Sequence, residues 1–133
     1  MGPVTHLGLV ALLVHDYDES ITFFTRALGF TLREDLDQGT KRWVVVDPPG
    51  GQTGILLARA DNDAQRATVG NQHGGRVGFF LNVDDFTAAH TRMTQAGVHF
   101  EEAPRREVYG TVAVFRDLYG NRWDLLQLTT PGR

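Results

Sequence analysis

The chain has 133 residues, with 13 Lys and Arg against 16 Asp and Glu, a formal charge of −3 with neutral histidines. That length builds one domain or two fused small halves, and the mild acidity supplies no basic footprint for nucleic acid. There is no cysteine, which excludes disulfides, thiolate metal sites and cysteine nucleophiles; no apolar run approaches the roughly 20 residues that span a bilayer.

In chain order, Leu7–Val14 is an apolar run of strand length. Asp16 then reads as an N-cap, with Glu19 three residues later in a capping-box pattern. The helix that follows places Ile21, Phe24 and Leu28 on one face, and Gly29 stands where a left-handed residue would end it. Three strand-like runs come next, Phe30–Leu36, Lys41–Val46 and Gly54–Arg59, with Asp47-Pro48-Pro49-Gly50-Gly51 as the turn between the last two. Asp61–Gly75 is polar, lacks sustained periodicity and reads as a linker.

The grammar then repeats. Gly78–Val83 is a strand, Asp84 the cap, and Phe86, Ala89, Met93 and Ala96 form the helical stripe. Val98–Glu102, Gly110–Arg116 and Arg122–Leu128 are the remaining strands, with Asp117–Asn121 as the closing turn. Asp16 and Gly29 recur as Asp84 and Gly97, each 68 positions on, and Asp47 and Gly50 recur as Asp117 and Gly120, each 70 on. Two echoes in the same order, about half a chain apart, point to a duplicated βαβββ module. The boundaries are about 4–60 for the first module, 61–75 for the linker and 76–130 for the second, within one domain of 1–133. Leu9–Val14 is apolar at every position, so both of its faces should be covered. A helix covers only one face of a sheet, which leaves the other for a ligand cleft or another chain.

Paired βαβββ modules with an aspartate-capped helix resemble the vicinal oxygen chelate superfamily of glyoxalases, bleomycin-resistance proteins and extradiol dioxygenases. The most specific piece is the stretch from Phe115 through Asp117, Gly120 and Asn121 to Leu125. It is similar to the family's closing hairpin, with Leu118 in place of proline and Asp124 in place of glutamate. The resemblance implies an α+β fold with an eight-stranded, cup-shaped mixed sheet and pseudo-twofold symmetry. It also implies four inward positions that carry metal ligands in the metal-dependent relatives, here Leu9, Leu56, Gly78 and Asp124. Leucine and glycine side chains ligate nothing, so one carboxylate remains where a catalytic zinc site usually has three protein ligands. No metal and no other cofactor is expected.

Five histidines, His6, His15, His73, His90 and His99, lie apart without helical metal-site spacing and read as surface or capping residues. Asp124, between Trp123 and Leu125, is either a desolvated general acid or base or a partner of Arg122, two residues away on the same strand face. Phe80 shares a face with Gly78 by alternation, and Trp43 lies on a neighbouring run; both are candidate cleft walls or core aromatics. Tyr109 precedes the Gly110 bend, where its phenol would reach the cleft mouth or solvent. Arg105-Arg106-Glu107 reads as a solvated loop.

These residues support a metal-independent protein that binds a small apolar or aromatic molecule through Leu9, Trp43, Leu56, Gly78, Phe80, Tyr109 and Asp124. The alternative is a cofactor-free isomerase or lyase in which Asp124 moves a proton. Met1-Gly2-Pro3 lacks the basic start of a leader, so a cytoplasmic location is expected, with neither nucleic acid nor membrane as partner. A homodimer is expected because the resembled family commonly pairs and the fully apolar strands leave surface to cover.

Overall fold

A computed structural model describes residues 2–130. The chain forms two compact units, one through Ala67 and one from Thr68; the first is built on a βαβββ plan and the second on the same plan with one extra strand. In the first, β1 (Leu9–Val14), β2 (Thr31–Asp37), β3 (Arg42–Asp47) and β4 (Gly54–Arg59) form a sheet in the order β1-β4-β3-β2. β1 runs parallel to β4, and the remaining pairs are antiparallel.

Helix α1 (Tyr17–Thr22) begins at the predicted cap, where Asp16 accepts from the Glu19 N–H at 2.8 Å. It continues into a π-helical turn over Phe23–Ala27, a wider turn than the sequence spacing implied. Phe24 and Leu28 are still buried, and Gly29 ends the helix at φ 73°. A left-handed angle of this kind is free for glycine and strained for other residues. Alternation puts Leu12, Val14, Val44, Val46 and Leu57 on the buried face toward α1. Fully burying each such side chain contributes roughly 1.5–3 kcal/mol.

The second unit repeats the strand order. β5 (Val77–Asn82), β6 (His99–Phe100), β8 (Gly110–Arg116) and β9 (Arg122–Leu128) lie in the order β5-β9-β8-β6, and β7 (Arg105–Glu107) pairs with β8 beyond β6. The expected loop at Arg105-Arg106-Glu107 is therefore a strand, and the second sheet has five strands where four were expected. β6 and β7 occupy one edge, interrupted between Phe100 and Arg105. At the interruption the Glu102 carboxylate accepts the Val114 N–H at 2.9 Å, which satisfies a donor the broken edge leaves unpaired.

Helix α3 (Phe86–Gln95) is capped by Asp85, one residue after the expected Asp84; its side chain accepts from the Ala88 N–H at 3.0 Å. Phe86, Ala89 and Met93 are buried as the stripe required, whereas Ala96 is exposed. The core toward α3 is aromatic. Phe79, Trp123, Phe115, Phe100, His90 and Phe86 follow one another with centroids 4.3–5.7 Å apart. The stretch read as a linker contains a short helix, α2 (Asp63–Thr68), whose first turn is held by the Asn62 side chain.

Candidate functional site

In each module the sheet face turned away from the helix carries the candidate residues. In the first, register and alternation place Leu9, Ala11, Leu13, Leu56, Ala58, Trp43 and Val45 on that face. Val45 is buried, Ala11 is exposed, and Leu9, Leu13, Trp43, Leu56 and Ala58 lie between. β1 is thus packed on its α1 side and only partly covered on the other, where full cover was expected. At the end of this face a cavity of about 350 Å³ is lined by Leu13, Trp43, Leu56 and Ala58, with Lys41 and Gln65 among its polar groups. One wall is fixed by Tyr17, whose ring meets the Arg42 and Arg59 guanidiniums at 5.2 and 5.1 Å and whose hydroxyl accepts the Arg42 N–H. Arg42 is further held by Asp35 and Asp18, and its hydrogen bond draws the Asp35 carboxyl below its ordinary range.

In the second module the corresponding face holds Asp124, with Phe80 opposite on β5 and Val114 opposite on β8. Val112, Val114 and Leu126 are buried around it. Burial pushes the Asp124 carboxyl above the ordinary aspartate range, with Glu102 adding to the push while Arg105 and Arg122 oppose it. The Arg122 partnership the sequence suggested does not form. Arg122 instead donates twice to Glu101, at 2.9 Å each, and once to the Gly75 carbonyl. Arg122, by those bonds, holds the Glu101 carboxyl low. Arg105 is taken by Glu102 and Glu107, at 2.9 and 2.8 Å. Tyr109 is half-buried, and its side chain hydrogen-bonds Arg105.

Gly78 is not an open cleft wall. It is the extra residue of a bulge between Val77 and Phe79, and the His73 imidazole fills the space a Cβ would need. His73 also meets Phe79 edge-on at 5.0 Å. The sequence reading placed His73 in a linker and missed this; the glycine was its only signal. His73 further borders a polar cavity of about 220 Å³ with Arg76, Glu101, Arg116 and Arg122.

Of the four positions that hold metal ligands in metal-dependent relatives, Leu9 and Leu56 present hydrocarbon, Gly78 presents the His73 ring, and Asp124 alone presents a ligating atom of its own. Among the described residues no group of three or more His, Cys, Asp or Glu could hold a metal ion, so the donor set does not fit that chemistry. Nor is any described helix long and apolar enough to cross a membrane.

Comparison with known proteins agrees with this layout. The chain is 54% identical over 122 residues to an uncharacterized protein of Shewanella frigidimarina (strain NCIMB 400), covering 90% of each. It is 29% identical to the uncharacterized protein YurT of Bacillus subtilis (strain 168), covering 90% of this chain and 96% of that one. Among solved structures, UcmS2 superposes with a TM-score of 0.81 at 31% identity, over 93% of this chain and 98% of that one. TnmS3, an antibiotic binding protein from Streptomyces sp. CB03234, superposes at 0.80 with 26% identity, over 97% and 100%. The family profile matches residues 6–125. Two βαβββ sheets of like strand order, a profile spanning nearly every strand and close structural relatives have one reading: the chain belongs to the Glyoxalase/Bleomycin resistance protein/Dioxygenase superfamily.

Proposed function

We propose that the chain is a metal-independent protein that binds a small, largely apolar or aromatic molecule; the similarity to TnmS3, an antibiotic binding protein, supports the small-molecule part of this reading. The observation that carries this reading is the cavity of about 350 Å³ walled by Trp43, Leu13 and Leu56. That volume suits a small organic ligand, and the wall sets Leu13, Trp43 and Leu56 beside polar and charged groups that include Lys41, Arg59 and Asp61. Trp43 would stack on the ligand, and Leu9 would extend the hydrocarbon surface along β1. The two modules would act together as one domain in a cytoplasmic homodimer. Light scattering at micromolar concentration tests the dimer; a mass near 14.8 kDa would contradict it. Elemental analysis of protein purified without chelator tests metal independence, and one transition metal per chain would contradict it.

The test of function is a thermal-shift screen against neutral aromatic and polycyclic small molecules. A binder at about 100 times its Kd should stabilise wild type by roughly 2.7 kcal/mol, and Trp43→Ala should lose that gain. A screen without stabilising compounds, or a gain that survives in Trp43→Ala, would overturn the reading. A second reading rests on Asp124: its raised pKa suits a general acid or base in a cofactor-free isomerase or lyase. Turnover of a bound ligand by wild type and not by Asp124→Asn would favour it.

A further inference from the structure

Asp124 is a carboxylate built into a sheet without a cation of its own. Its Oδ1 is buried and has no hydrogen-bond partner among the described residues, whereas buried polar atoms in native proteins nearly always have one. Two guanidiniums act on it electrostatically, and both are engaged elsewhere: Arg105 with Glu102 and Glu107, Arg122 with Glu101. Arg116, the next cation on this face, also pairs with Glu101. Each of these guanidiniums is already answered by a glutamate, which leaves the Asp124 charge for a cationic visitor.

Phe80 completes the arrangement. It is the direct cross-strand partner of Asp124 and is 64% exposed. Neighbouring strands lie about 4.8 Å apart and register partners point to one face, so the ring and the carboxylate border the same patch. Asp124 itself is only half-buried, and rotation about its Cβ–Cγ bond can turn either oxygen outward. A carboxylate lacking a cation, next to an exposed aromatic ring, suits an organic ammonium. The N–H groups donate to the carboxylate, the charge rests against the ring, and the apolar body covers the hydrocarbon beside it.

We propose that Asp124 and Phe80 form a subsite for a protonated amine carried on an apolar body. This rests on the reading above that the chain binds small molecules, and it concerns the second module alone. The subsite selects for one cationic donor and against a carboxylate on an otherwise identical molecule.

The test is calorimetry at neutral pH with four probes on one scaffold: 2-(1-naphthyl)ethylamine, the corresponding alcohol, its methyl ether and 1-naphthylacetate. The amine is expected to bind wild type at least about tenfold more tightly than the ether, with the carboxylate weakest. Asp124→Asn should remove most of the amine's advantage over the ether, while Phe80→Ser should weaken the amine. Equal binding of amine and ether to wild type, or an advantage that persists in Asp124→Asn, would overturn the subsite and leave the small-molecule reading standing. Failure of every probe to bind by about 1 mM would also overturn the subsite. The small-molecule reading would then be decided by the thermal-shift screen, whose neutral compounds carry no amine.

Discussion

The two modules share a strand order and differ in what they place on the sheet face away from the helix. In the first, β1, β3 and β4 offer Leu13, Leu56, Ala58 and Trp43 beside a cavity. In the second, the same layer carries Asp124, an exposed Phe80 and two arginines held by glutamates. Their hairpin turns differ in the same way. Asp47 and Asp117 occupy echoed positions, yet Asp47 makes a partly exposed ion pair with Arg33. Asp117 is buried and accepts from the Tyr119, Gly120 and Asn121 N–H groups and from the Trp123 indole. A duplicated backbone therefore fixes where strands and turns fall, and single side chains decide whether a turn is a structural anchor or a solvated one.

The largest expected effect breaks that comparison at the turns. Asp117→Ala strands several buried donors and should cost about 3 kcal/mol in urea unfolding. Asp47→Ala, which removes only a partly exposed pair, should cost less than about 1 kcal/mol. Equal losses would show that the two turns do the same structural work. Next comes the His73 packing. Gly78→Ala should destabilise by roughly 1–3 kcal/mol through overpacking, and adding His73→Ala should recover most of the loss. A double variant no more stable than Gly78→Ala alone would place the strain elsewhere.

A smaller effect concerns Asp124. Burial holds its pKa above the unfolded value, so the folded chain binds that proton more tightly than the unfolded chain does. The resulting stability is full below the ordinary aspartate pKa of about 3.9 and is lost as pH rises through the raised folded value. Asp124→Asn does not ionise, so its melting temperature should gain on wild type as pH rises above about 4. A buried ion pair at Asp124 would give the reverse, a loss of roughly 3–5 kcal/mol at neutral pH.

Much of this architecture was legible in the sequence, because strand runs and helix stripes state their own period and Gly29 and Gly97 mark the helix ends, at φ 73° and 85°. Leu9 and Leu56 follow from the family resemblance and Trp43 only from lying on a neighbouring run; it is the strand register that puts the three on one face. What stayed hidden depends on partners distant in sequence. Arg122 shares a face with Asp124, but its long side chain reaches Glu101 beyond β6 instead. β7 is charged throughout and looks like a loop until β8 pairs with it. Adjacent Asp84 and Asp85 are chemically equal caps, and only backbone geometry chooses Asp85. A glycine such as Gly78 does not reveal which ring packs on it.

Tryptophan fluorescence tests the central claim most directly, since the chain has two tryptophans and they stand in opposite settings. Trp43 lines the first-module cavity, and Trp123 is buried in the second-module core. Titrating a compound that stabilises the protein should change the emission of wild type, and Trp43→Phe should abolish that change while Trp123 still emits. An undiminished ligand-dependent change in Trp43→Phe would contradict the account and move the binding site away from this cavity.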